Sequence, residues 1–264
     1  MTDMNSEQTV QRKERDKMRA LCANKVLVAM ALLVVSSPVF AIPTNIEDYE
    51  CSKLKDFTAT MTVVKVNENE LAKINRDAIL LYRFKTVNVK YKEPNMIRIE
   101  GEREGTRATF VMNGPYQYVS IPKLHMVTRR DFGDAPGKRK SLMDLGLISP
   151  YYMTYTNATF MRVGTVDGIQ CAVFNMTYKD RNEDTSHHIV YIDPKTKVVL
   201  RRESYSQEGQ LQAIYFYKNI KEVAPGIWMP TQVVAQTPDR KIAAITDYKN
   251  IKVNTDLPDS LFKL

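Results

Sequence analysis

The sequence predicts a mainly β fold, an antiparallel meander of about ten strands, from three observations. Apolar residues recur with a period of two through most of the chain, which marks half-buried strands. Tight-turn pairs such as Asn113-Gly114 and Asp167-Gly168 separate the runs, and Asn-Gly or Asp-Gly pairs favour two-residue hairpin loops. The breaks fall at the roughly 8–12-residue spacing of all-β folds.

In order, 45–55 ("NIEDYECSKLK") reads as a short helix capped by Thr44 or Asn45, with Glu47 and Asp48 in its first turn, where the helix dipole favours them. Residues 57–66 alternate Phe57, Ala59, Met61 and Val63 against threonines and valine, and 68–77 read as a polar turn. Residues 78–91 are expected as one long strand with Leu80, Tyr82 and Phe84 on one face. Two strands follow on either side of Gly105, and "PYQYVSIP" (115–122) returns after Asn113-Gly114. The period breaks over 123–158, where Gly133, Pro136 and Gly137 precede "KRKSLMDLGLIS", expected as a short helix, and a tyrosine-rich run. Strands then resume to the end, through a turn at Asp193-Pro194, where Pro already holds φ near −65°. The echo of "YKNIKEV" (217–223) in "YKNIKVN" (248–254) is expected to mark two equivalent strand exits.

The first 41 residues are expected to be a cleaved secretory leader. An apolar run at 25–35 follows Lys17, Arg19 and Lys25 and is shorter than the ~20 residues that span a bilayer. Val39 and Ala41 supply the small residues of a cleavage site after Ala41; the alternative is an uncleaved anchor. Cys22 precedes the apolar run, so a lipid-anchored form is not expected. The remaining domain, 42–264, would keep Cys51 and Cys171, either as a disulfide of an oxidising compartment or as two buried thiols.

Composition excludes several function classes. The net charge of +8 is modest, and an exported chain does not meet nucleic acid, so no nucleic-acid partner is expected. The cluster Lys123, Arg129, Arg130, Lys138, Arg139 and Lys140, against Asp131 and Asp134, reads as solvated surface or as a transient contact with anionic membrane. His187 and His188 are adjacent in a strand and face opposite ways, so they cannot share a metal. No phosphate-binding glycine loop, nucleophile elbow or Cys-x-x-Cys is present, so no enzyme, cofactor or metal is expected. Inward positions carry Phe57, Met61, Leu80, Tyr82, Phe84, Phe110, Met112, Phe174 and Met176. Thirteen methionines suit a surface that repacks around variable guests, although a filled core uses the same residues on the same faces.

Four elements in order, Lys-x-Pro-x-x-x-Arg (92–98), Asp-Pro-x-Thr (193–196), Gly-Ile-Trp-x-Pro (226–230) and the Leu-Phe ending (261–262), make the chain resemble the LolA-like outer-membrane lipoprotein-sorting family over 45–264. That resemblance implies a curved antiparallel sheet forming an incomplete β-barrel, with a few short lid helices over an apolar space for acyl chains. It implies a periplasmic carrier of lipoproteins between an inner-membrane exporter and an outer-membrane acceptor. The alternative is a non-carrier periplasmic binding module, a stress sensor or a lipid-exporter accessory protein, using the same groove. On this reading the 123–158 insertion is the lid, and Leu142, Leu145 and Ile148 face the cavity. Carriers often place a basic residue before the proline; here it is Glu93, so a lid contact through Glu93 and Arg98 would need Lys138, Arg139 or Lys140 as its partner.

Overall fold

Alternation along most of the chain builds one antiparallel sheet of thirteen strands among the described residues. The computed structural model describes residues 12–15, 17 and 41–263, apart from 77, 181 and 183. The apolar run of the expected leader lies outside the described residues, as does its cleavage site except for Ala41. Residues Ile42–Leu264 form one compact unit.

The strands are β1 (Asp56–Val66), β2 (Thr86–Lys92), β3 (Met96–Arg103), β4 (Thr106–Asn113), β5 (Tyr116–Ile121), β6 (Met126–Asp131), β7 (Thr156–Val166), β8 (Ile169–Tyr178), β9 (His187–Ile192), β10 (Val199–Tyr205), β11 (Leu211–Ala224), β12 (Ile227–Gln236) and β13 (Ile242–Val253). Their spatial order is β6 to β1, then β13 back to β7. Two meanders therefore meet where β1 pairs β13, with Met61 opposite Tyr248. The sheet curves without closing, and β6 and β7 are its edges. At the β7–β8 hairpin, Asp167 and Gly168 both take positive φ, 48° and 83°, as a two-residue loop of this hand requires.

Several sequence expectations are corrected. Residues 68–77 are not a polar turn. Glu68–Ile74 is a helix, α1, and the Asn67 side chain caps it by accepting from the amides of Asn69 and Glu70. Residues 78–91 are not one strand. Ala78–Tyr82 is a second helix, α2, and β2 begins only at Thr86. Short apolar runs fit both periods, and here Asn67 and Asn75 each precede a helical start that strand alternation does not need.

The helix expected at 45–55 is a single 3₁₀ turn, Ile46–Tyr49, whose Asn45 makes no side-chain cap. The helix expected around 141–148 is likewise one 3₁₀ turn, Leu142–Leu145, held by a reciprocal Ser141–Asp144 capping box. A short helix, α3 (Pro150–Thr154), follows. The insertion is shorter than 123–158, because β6 pairs with β5 from Met126 to Asp131; only 132–155 leaves the sheet. The echo segments 217–223 and 248–254 run to the ends of β11, at Ala224, and β13, at Val253, as two equivalent strand exits. Asn219 and Asn250 sit inside β11 and β13 in the left-handed region, which Asn tolerates, and β13 bulges there against β1.

Pro94 lies in the turn between β2 and β3, within Glu93–Asn95, where its missing amide breaks no ladder bond. The chain end explains the Leu-Phe element. Asp56 accepts from the amides of Thr255, Asp256 and Leu257 and from the Thr255 hydroxyl. The tail then crosses the outer face, where Phe262 is fully buried with Met96 and Val111.

Candidate functional site

The concave face of the sheet encloses a cavity of about 1090 Å³. Such a volume lies just above the ~300–1,000 Å³ of small-molecule sites. One wall is apolar. Strand alternation on β1 to β5 turns Phe57, Met61, Val89, Ile97, Ile99 and Phe110 inward. Helices α1 and α2 cover part of it: Leu71 is buried against Ala235, Ala243 and Ala244, with Ile74, Ala78 and Tyr82 beside them. No residue of α2 is fully buried, and Leu80, Leu81 and Tyr82 border the cavity.

The 132–155 segment packs over β8 to β11 in a different manner. Leu142, Met143, Leu147 and Ile148 are each at most 1% exposed. The Tyr217 hydroxyl donates to the Met143 carbonyl at 2.8 Å, and the Val199 amide donates to the Gly146 carbonyl at 2.9 Å. These buried residues and bonds make the segment a plug on the sheet, whereas α2 is a cover with no fully buried residue.

Eight of the expected cavity residues border the space: Phe57, Met61, Leu80, Tyr82, Phe84, Phe110, Leu142 and Leu145. Four do not. Met112 is packed in the apolar cluster with Leu54, Ile97 and Leu147. Phe174, Met176 and Ile148 belong to a second cluster, filled by the plug and by Tyr49, whose ring meets Phe174 edge-on at 5.6 Å. Inward alternation is shared by both halves of the sheet, but protein side chains fill much of the β8–β11 half and leave open only an end bordered by His188, Arg202, Ser204 and Tyr215.

The polar expectations divide in the same way. Lys138, Arg139 and Lys140 border the cavity. Arg139 donates to the carbonyls of Phe132 and Gly133, and its guanidinium lies over the Tyr155 ring. Glu93 does not reach them. The β1–β2 register puts it beside Lys55, which it pairs at 3.1 Å. Arg98 is on the outer face, bonded to the Leu261 carbonyl and to Glu100. The contact from this turn to the insertion runs instead through Asn95, fully buried, whose side-chain amide donates to the Lys140 carbonyl at 3.0 Å. Cys51 and Cys171 are free thiols, not a disulfide, and burial pushes each up to about 11.

Sequence reasoning missed the cavity's polar end. Register places Ser204 of β10 between His188 of β9 and Ala213 of β11, with Arg202 next to Tyr215 on the same face. Arg202 is 6% exposed, pairs Asp144 of the plug at 3.1 Å and lies 4.4 Å over the Tyr215 ring. Burial alone would raise the Asp144 carboxyl, but Lys140 and Arg202 outweigh it and hold it below its ordinary value. Burial, helped by Arg202, pushes His188 down to about 3, so its ring is neutral at physiological pH. Its Nε2 faces the Tyr178 hydroxyl at 3.4 Å. Among the described residues no group of three His, Cys, Asp or Glu is placed to hold a metal ion.

A family profile described as "Uncharacterized protein" matches residues 106–264. No curated protein matches the sequence. Among solved structures, a LolA superfamily protein from Nitrosomonas europaea aligns with TM-score 0.57 and 15% identity, over 83% of this chain and 94% of that one. An outer membrane lipoprotein-sorting protein domain from Vibrio parahaemolyticus aligns at 0.52 and 13%, over 83% and 93%. A DUF1329 family protein from Desulfovibrio piger aligns at 0.52 and 14%, over 83% and 92%. The chain belongs to the family whose profile it matches over residues 106–264, and its fold is the LolA-like fold of the outer-membrane lipoprotein-sorting proteins.

Proposed function

We propose that this protein is a periplasmic carrier that holds the acyl chains of a lipoprotein or lipid in the cavity and delivers them toward the outer membrane. The observation that carries this reading is the 1090 Å³ cavity with an apolar wall under a cover whose helix α2 has no fully buried residue. Burying a CH₂ group is worth about 0.8 kcal/mol, so an acyl chain of ~14 buried methylenes gains about 11 kcal/mol on leaving water. A carrier must offer most of that and still release its cargo, which a cover with two states of similar energy permits. In this reading α1 and α2 move, while the plug and sheet stay fixed. Residues 1–41 act as the export leader, and the protein works by binding, with no catalytic step. An inner-membrane exporter and an outer-membrane acceptor are the partners this role requires.

The test is transfer. Purified protein incubated with vesicles that carry a triacylated lipoprotein should draw it into a soluble one-to-one complex. Lipoprotein that stays wholly with the vesicles would refute the carrier role.

A further inference from the structure

We propose that the cavity selects amphiphiles with an anionic headgroup, a carboxylate or a phosphate monoester, and seats that headgroup at Arg202 and His188 while the tail lies along β1 to β5. The inference rests on the cavity being a lipid site and adds the class of its ligand.

Charge is the first ground. Among the described residues, six basic side chains border the cavity, Arg76, Arg130, Lys138, Arg139, Lys140 and Arg202, against one carboxylate, Asp144. A space meant for acyl chains alone gains nothing from that excess. A low-dielectric cavity lined by one sign of charge concentrates the opposite sign.

The second ground is the state of the buried donors. The Arg202 Nε atom has no protein partner, although the residue is more than nine-tenths buried. The His188 Nδ1 atom has none either. When the Tyr178 hydroxyl donates to Nε2, the neutral ring carries its proton on Nδ1, so this too is a donor. A buried donor left unpaired is costly, and a ligand anion would satisfy both. Charge-assisted bonds from guanidinium to carboxylate or phosphate are about twice as strong as neutral ones. Asp144 occupies one Arg202 nitrogen, Nη2, and leaves Nε without a partner.

The third ground is arrangement. The donors and the apolar wall lie on opposite halves of one continuous space, so a headgroup at β9–β10 leaves the tail directed toward Phe57, Met61 and Phe110.

The test compares one tail with four heads. Dodecanoate, dodecyl phosphate, dodecanol and dodecyltrimethylammonium are each titrated against full-length protein carrying an uncharged apolar fluorophore. The two anions should displace the dye at concentrations about tenfold below dodecanol, with the cation weakest. Acetate and inorganic phosphate should displace nothing; displacement by either would make this a small-anion site and overturn the proposal. R202Q should reduce the anion preference to less than about threefold while dodecanol binding holds. Because R202Q leaves Asp144 without its partner, the double variant R202Q/D144N, which removes the pair together, is measured beside it. Equal displacement by all four amphiphiles would overturn the headgroup proposal and leave the lipid site standing. Full anion preference in the double variant would also overturn it. Displacement by none would overturn both.

Discussion

At the scale of single residues, His188 and Gly146 make the sharpest claims. His188 titrates near 3 in the fold against an ordinary 6.5. Its neutral form is therefore favoured by folding. That contribution is complete above the unfolded value and is lost as pH falls from about 6.5 toward 3, by up to ~1.4 kcal/mol per pH unit. Urea denaturation at pH 7 and pH 4.5 should show a larger loss for the native protein than for H188Q; an equal loss would contradict the burial of that ring. Gly146 has φ of 73°, and an added Cβ would lie 2.7 Å from the Tyr217 ring. G146A should cost more than about 2 kcal/mol, whereas G209A, with similar φ but open space, should cost only about 1. Equal costs in the same denaturation assay would show that the plug is not clamped on Tyr217. Gly146 could be marked in the sequence as a turn residue, but not as the point where the insertion meets β11, because that contact spans 71 positions.

At the scale of elements, strands were legible and short helices were not. Period-two alternation located β1, β4, β8 and the hairpins because each strand has one buried face. It misread α2 because "AILLY" offers only five residues, too few to separate the two periods, while the polar composition of "ENELAKI" made α1 read as a turn. The consequence is functional, since on the proposed reading the cover that moves is 68–82 rather than the insertion. Amide exchange tests this directly. The α2 amides should exchange faster than those of the plug at Met143–Ile148 and slow when a fatty acid is bound; a plug that exchanges first would reverse the roles. The tail is a second element whose anchor is clear. Asp56 receives four hydrogen bonds from residues 255–257. D56A should cost about 3 kcal/mol, measured by urea denaturation, and free Phe262 from Met96.

At the scale of the whole molecule, the order of motifs carried the family and the fold, while the cavity's contents did not follow from either. Phe110 and Phe174 have the same inward phase, yet one borders empty space and the other is packed under Tyr49. Alternation reports which face a residue occupies and is silent on what meets it there. Arg202 shows the same limit: its inward phase was readable in "VVLRRESY", but its depth required the plug above it. The central claim is that the interior is a binding space for an acyl chain. The most direct test is titration of a fluorescent fatty acid into native protein and into A108W, whose indole would project into the cavity from β4. The native protein should show saturable one-to-one uptake with the dye in an apolar setting, and A108W should bind at least about tenfold more weakly while melting normally. No saturable uptake by the native protein, or equal uptake by the two, would contradict it.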